Sequence, residues 1–510
     1  MIISLSVLVI TIIVSGTYAL YKAQLSKNIG VNTTTHGLAY YINYVKGTDI
    51  TAATLNPSTS YEGGASSDIE FWKKDDSYDI YGKIELTVNT IGTNLSNSPA
   101  LKYAVVNNGN VLKEGSLKGT TSGSKVTILK NLYLEQTKQI YTVYVWLDNS
   151  EELGNISNES LSISVDCTAS LQKEPTAADT IISLYTSAAK VTATNNSITY
   201  NTAPSVSLMN DRLGGTTTDL DGGNIRYYGA NPNNYIYFNC SDYSNQTSST
   251  CETWRIIGVF DGKVKLIRHA SIGQYSWDNK NKSTGAENNS GKNDWTTARL
   301  MKLLNPSDYY TVDSKDNNLG QSLYYNSASG KCYSGQNNAT VDCDFTSTGI
   351  KNAETRNMIA ETTYNLGGWN SNSVYSNQIY EYERGTTVYS GRPTTWKGKI
   401  ALAYPSDYGY AADLNQCKDK TLYDYDNRTC TSNNWMKAII TNNGSNTGWL
   451  LTPRSGSSSN AWYVNSGGFV SRDSIAYVAY GAVPVLSLSS ELGIESGGDG
   501  SSSKPYKLSA

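Results

Sequence analysis

Six of the seven cysteines in this 510-residue chain fall into three neighbouring couples: Cys240 and Cys251, Cys332 and Cys343, Cys417 and Cys430, separated by 11, 11 and 13 positions. The couples lie far from one another. No CxxC occurs, and the chain holds only two histidines, His36 and His269. Zinc, iron–sulfur and multi-histidine metal sites are therefore excluded, and a histidine-based catalytic triad is disfavoured. Six cysteines allow fifteen connectivities, and six free buried thiols are the other reading. The even local spacing favours Cys240–Cys251, Cys332–Cys343 and Cys417–Cys430 as loop staples, each worth roughly 2–4 kcal/mol in a loop-closure model. Disulfides require an oxidising compartment, so the spacing predicts export. Cys167 is left over; it continues the apolar face of the alternating run Leu161–Cys167, which predicts a buried structural thiol.

The N-terminus agrees with export. Residues 2–21 carry no charge and are mostly Ile, Val and Leu, matching the roughly 20 residues that cross a bilayer as a helix. The run is longer than the core of an ordinary signal peptide, which favours an uncleaved anchor over a cleaved signal. Lys22 and Lys27 follow the run, and no Lys or Arg precedes it. Read literally, the positive-inside tendency would keep the bulk of the chain inside; the cysteines argue for a single-pass membrane protein with that bulk extracellular. Charged residues make up 17% of the chain with a net charge of −3, so no basic footprint for nucleic acid is present. Tyr outnumbers Phe by 39 to 5, with 43 Gly, which fits tyrosine-faced strands joined by polar turns.

Pattern changes divide the chain into residues 1–26 (anchor or signal peptide), 27–77 (a polar segment with weak structure signals), 78–168, 169–204, 205–490 and a strand or tail at 491–510. In 78–168, Ile84, Leu86 and Val88 alternate with polar partners, and Asn107-Asn108-Gly109-Asn110 separates two short apolar runs as a hairpin turn does. Runs at Val126–Ile128, Ile140–Leu147 and Leu161–Cys167 complete the signal of an antiparallel β-sandwich, Ig-like or jelly-roll-like. Segment 169–204 reads as a linker with a short helix, Ala177–Ser187, capped by Thr176. The 205–490 region holds eight of the ten tryptophans and all the paired cysteines. Short strands are expected at Tyr235–Phe238, Trp254–Phe260, Val264–Arg268, Ile400–Tyr404, Trp449–Leu451, Trp462–Val464 and Val483–Leu488. One helix is expected over Trp295–Leu304, capped by Asn293 or Asp294, and another from Ala353 towards Leu366, stopped by Gly367-Gly368. This mixture predicts an α+β domain.

Several stretches of this region are specific enough to carry a resemblance. Asn224-Ile-Arg-Tyr-Tyr-Gly-Ala-Asn-Pro-Asn-Asn-Tyr235, Cys251-Glu-Thr-Trp-Arg-Ile-Ile-Gly-Val-Phe260, Asn293-Asp-Trp295, Trp396-Lys-Gly-Lys-Ile-Ala-Leu402, Tyr404-Pro-Ser-Asp-Tyr-Gly-Tyr410 and Trp449-Leu-Leu-Thr-Pro-Arg-Ser455 resemble a group of uncharacterised exported surface proteins of low-GC Gram-positive gut bacteria. The layout over about residues 205–490 is similar to the C-type-lectin-like fold of formylglycine-generating-enzyme relatives and bacterial variable-loop receptors. That group often ends in Gly-Val-Arg-Pro, where this chain has Gly481-Ala-Val-Pro484, so any role of that arginine is absent.

The resemblance implies a ligand face on the loops of the C-terminal half. Tyr408, Tyr410, Tyr425, Tyr463, Arg472 and Asp473 are the binding candidates there, since Tyr combines large rigid area with small entropy cost. Asp424, Asp426 and Asn427 share one loop and have calcium-compatible oxygens, although a solvated polar turn is the simpler reading and no cofactor is expected. The copper-binding cysteine pair of the formylglycine-generating enzymes has no counterpart in the closing Trp449–Leu488 block. The expectation is therefore a membrane-tethered, adhesin-like surface protein whose head binds a glycan or a protein and does no catalysis. An enzyme on the same fold and a structural surface or fibre component are the alternatives.

Overall fold

The computed structural model describes residues 23–25 and 41–509, apart from 53–54, 152, 157, 197, 214–221, 244, 280–288, 312–319 and 336–337. The apolar run at 2–21 lies outside the described residues; among the described residues no helix is long and apolar enough to cross a membrane. The chain divides after Glu174 into two compact units.

The first unit is a pair of sheets. One runs in the order Ala23–Leu25, Leu161–Ser170, Tyr81–Ile91, Lys125–Tyr133, and the other Ile42–Val45, Ala65–Lys73, Ile140–Asp148, Leu101–Asn107, Asn110–Ser116. Along these paths every pairing is antiparallel. Ile84, Leu86, Val88, Val143, Val145 and Ile163 point alternately inward and are fully buried in one apolar core, as the period of two requires. The Asn107–Asn110 hairpin is present, with Asn108 at φ 50° and Gly109 at φ 77°, the left-handed pair that matches strand twist. Cys167 is buried in this core, unpaired. Burial and the neighbouring Asp166 and Glu85 push its thiol well above its ordinary range, so it stays protonated.

The sandwich reaches further upstream than residue 78. Ile42–Val45 and Ala65–Lys73, inside the segment read as polar and weakly structured, are full members of the second sheet. Ser and Asp in Ala65–Asp68 disguise the alternation, yet Ser67, Ile69, Phe71 and Lys73 all face inward. Buried Lys73 keeps its charge through Asp76 and the Tyr133 hydroxyl, both 2.8 Å away.

The second unit, from Pro175, is α+β. Among the described residues its main sheet has nine strands, in the order Val191–Asn195, Ile198–Ala203, Leu208–Asn210, Ile225–Tyr227, Glu252–Phe260, Lys263–Arg268, Val485–Ser487, Ile400–Ala401, with Tyr235–Phe238 beside Glu252–Phe260. A second sheet orders Gln274–Ser276, Ala479–Gly481, Gly448–Pro453, Asn460–Val464 and Val470–Ile475. Helix Ala177–Ser187 forms as its capping box dictates: Thr176 Oγ1 accepts from the Asp179 N–H while Asp179 accepts from the Thr176 N–H. Its Ile181 and Tyr185 are buried in the core of this unit, and two strands of 169–204 belong to the main sheet. Segment 169–204 is thus largely part of the domain and not a linker. The alternation Val191-Thr-Ala-Thr followed by Asn195-Asn196 carries the hairpin signal, with Asn196 at φ 47°.

The helix expected from Ala353 ends at Met358, and Thr362–Asn365 is a strand. Gly367-Gly368 answers to close packing instead. A Cβ at Gly367 would stand 2.3 Å from the Tyr382 carbonyl oxygen, and one at Gly368 2.2 Å from that of Pro453. The expected helix over Trp295–Leu304 is a short 3-10 turn followed by Arg299–Leu304.

All three staples join the expected partners, Cys240–Cys251, Cys332–Cys343 and Cys417–Cys430. Three disulfides and a β-rich fold fit an extracellular or secreted protein.

Candidate functional site

Three of the six expected binding residues are not on the surface. Tyr408, Tyr410 and Tyr425 are buried: Tyr408 and Tyr425 pack in one core cluster with Cys417 and Cys430, and Tyr410 in a smaller one with Tyr200, Tyr228 and Leu414. Their polar groups are used internally. The Tyr408 hydroxyl donates to the Gly468 carbonyl at 2.7 Å, and that of Tyr425 to the Gly409 carbonyl at 3.2 Å. Tyr410 lies against the buried Arg226 guanidinium, 4.7 Å from its ring centre.

Two of the three calcium candidates are engaged locally. Asp424 accepts from Thr421 Oγ1 at 2.6 Å, and Asn427 caps helix Arg428–Ser432 by accepting from the Thr429 N–H at 2.9 Å. Asp426 is exposed. Among the described residues no group of three or more His, Cys, Asp or Glu is placed to hold a metal ion.

Arg472 and Asp473 come together on the edge strand Val470–Ile475, and Tyr463 lies on the neighbouring strand Asn460–Val464, paired with Ser471. Arg472 Nη1 donates to Asp473 Oδ1 at 2.7 Å. Tyr463 is half-buried beside Tyr480, ring centres 5.5 Å apart; burial raises its hydroxyl pKa, and the charges of Tyr480 and Asp473 raise it further.

The geometry adds residues that the sequence did not single out. Arg454 Nη1 donates to the same Asp473 Oδ1 at 2.6 Å, and Arg454 Nε to Asn370 Oδ1 at 2.7 Å. Asn372 Nδ2 reaches Asp473 Oδ2 at 3.3 Å, and Asn372 Oδ1 accepts from the Arg472 N–H. Next in the chain to Asn370, Trp369 stacks on Tyr382, with ring centres 3.9 Å apart and planes 12° from parallel. Both rings are partly exposed. A backbone bridge joins Trp369 to Arg454, so the aromatic stack and the charged group share one edge of the fold.

This edge is held from beneath. Fully buried Asn293 donates through Nδ2 to the carbonyls of Arg454, Ser457 and Asn460 at 3.0, 2.8 and 2.9 Å. Arg392 donates to Asn293 Oδ1 and to the Ser458 carbonyl. Asp294, and not Asn293, caps the following turn, and Trp295 is core. Loop 454–460 is therefore a rigid platform, which suits pre-organised recognition.

Chemically, the site offers guanidinium and amide donors, one exposed carboxylate and a flat aromatic stack. Arg454 was visible inside the Trp449–Ser455 motif. Asn370 and Asn372 lacked any local signal, because their partners lie some hundred positions away.

The sequence matches no known family model and no curated protein. Among solved structures, the chain is similar to the receptor-binding domain of botulinum neurotoxin mosaic serotype C/D, at 10% identity over 52% of this chain and 75% of that one. The TM-score is 0.15, too small for that likeness to carry a fold or a function.

Proposed function

We propose that this is an exported surface protein, tethered through residues 2–21, whose second unit is C-type-lectin-like and binds a glycan. The observation that supports this reading is the convergence of Arg454, Asp473, Arg472, Asn370 and Asn372 on one rigid edge beside the Trp369–Tyr382 stack. Hydroxyl-rich ligands need planar donors and acceptors in fixed positions, and a sugar ring lays its C–H face on an aromatic ring. Loops positioned by a rigid scaffold are where such groups usually sit.

The test is the purified full-length protein in detergent on a glycan array, with and without a chelator. Retention of a defined glycan set, unchanged by chelator and lost in Asn370→Ala, is expected. An array that stays empty while a surface protein is retained would replace the glycan with a protein ligand. Protease added to intact cells should remove everything beyond about residue 30; protection of the second unit would overturn the surface location.

A further inference from the structure

We infer that the sugar bound at this edge carries a carboxylate, as uronic and sialic acids do, and that Arg454 and Arg472 receive it; the inference rests on the glycan reading above. Two guanidiniums here share a single carboxylate oxygen, Asp473 Oδ1, at 2.6 and 2.7 Å. One negative charge against two positive ones leaves this trio with a net positive charge.

The guanidiniums are also under-used. Of the five N–H donors on each, Arg454 donates through Nε and Nη1, and Arg472 through Nη1 alone. Arg472 Nε is buried with no hydrogen-bond partner among the described residues. A ligand carboxylate would meet the outer Nη donors of the two guanidiniums, whose planar geometry suits carboxylate oxygens.

Asp473 is the most exposed of the three, at 44% of its side chain against 23% for Arg454 and 18% for Arg472. It thus acts as a placeholder that the incoming carboxylate displaces or shares. The Trp369–Tyr382 stack supplies the apolar contact for the sugar ring. Neutral sugars would leave the excess positive charge unanswered.

The experiment titrates the full-length protein with oligogalacturonate and with an α2,8-linked sialic acid oligomer, each beside its methyl ester, which keeps the sugar and removes the charge. At least one free acid should bind, more weakly as salt rises, and its ester should not. Arg454→Gln and Arg472→Gln should each weaken binding roughly tenfold or more. Arg472→Lys, which keeps charge but not the fork, should also weaken it. Asp473→Asn should strengthen binding severalfold, an effect that misfolding cannot imitate. Esters that bind as well as the acids, or an Asp473→Asn variant that binds more weakly, would overturn the inference and leave the glycan reading standing. Neither acid binding while other glycans are retained on the array does the same; an empty array overturns both.

Discussion

Arg226 Nε donates to Asp211 Oδ2 at 2.5 Å in a place where neither side chain is more than 1% exposed. The same guanidinium reaches Asp407 Oδ1 at 3.2 Å, and Asp407 in turn pairs with Lys265. Burial alone would raise the Asp407 pKa, but Lys265 and Arg226 outweigh it and hold the carboxylate below its usual range. Phe260 and Tyr410 cover the faces of the guanidinium, with ring centres 4.6 and 4.7 Å away. Four distant segments are tied together at this point.

Removing one partner of such a network strands the others as buried charges. Arg226→Met should therefore cost about 3–5 kcal/mol. Urea unfolding followed by tryptophan fluorescence reads this directly, since eight of the ten tryptophans lie in the second unit. A midpoint within error of the parent would show that the network contributes nothing net.

Glu383 should make stability depend on pH. Its carboxyl is fully buried and accepts from the Ser406 N–H at 3.0 Å. Burial pushes its pKa from 4.5 up to about 7, against the pull of Arg384 and Ser406. The folded state thus holds the proton more tightly than the unfolded chain. Its contribution is fully present below about pH 4.5, declines as pH rises and is lost by about pH 7. Glu383→Gln should flatten this part of the profile, by an amount on the order of 3 kcal/mol between pH 4.5 and pH 7. Parallel profiles for variant and parent would refute the assignment.

Tyr408 should behave as a core residue and not as a ligand contact. Tyr408→Phe leaves the Gly468 carbonyl without its donor and should cost about 1–3 kcal/mol. Tyr408→Ala adds a cavity and should cost about 3–5 kcal/mol, comparable with Trp254→Ala or Trp449→Ala. Melting curves distinguish these from Asn370→Ala at the exposed edge, expected within about 0.5 kcal/mol of the parent.

The staples should appear in a non-reduced peptide map as Cys240–Cys251, Cys332–Cys343 and Cys417–Cys430, with Cys167 free. Replacing a couple by Ser should cost roughly 2–4 kcal/mol. The smallest loss is expected for Cys332–Cys343, because the hairpin Ser329–Cys332 with Val341–Asp344 already holds that loop closed. Cross-linked peptides between couples would contradict the structure.

Local signals in the sequence were reliable where a few neighbouring residues sufficed. The Thr176 cap, the Asn108-Gly109 turn and the strands over Ile84–Val88 and Tyr235–Phe238 are of this kind. Composition misled where polar residues face inward, as Ser67 and Lys73 do in Ala65–Lys73. The same limit misplaced Tyr408, Tyr410 and Tyr425. A tyrosine reads alike whether its ring lies on a loop or in a core, since the hydroxyl can be satisfied by water or by a distant carbonyl.

By itself, then, the sequence determined the strand alternation, the helix caps and the proximity of each cysteine couple, because each depends on residues within about a dozen positions. Only the tertiary structure decided which tyrosines are buried and which polar groups meet. Arg454 and Asn370 are 84 positions apart, Asn372 and Asp473 are 101, and Asn293 and Arg454 are 161. No local propensity encodes such meetings. They follow from packing the sheets and loops so that apolar side chains leave water and most buried polar groups find a partner.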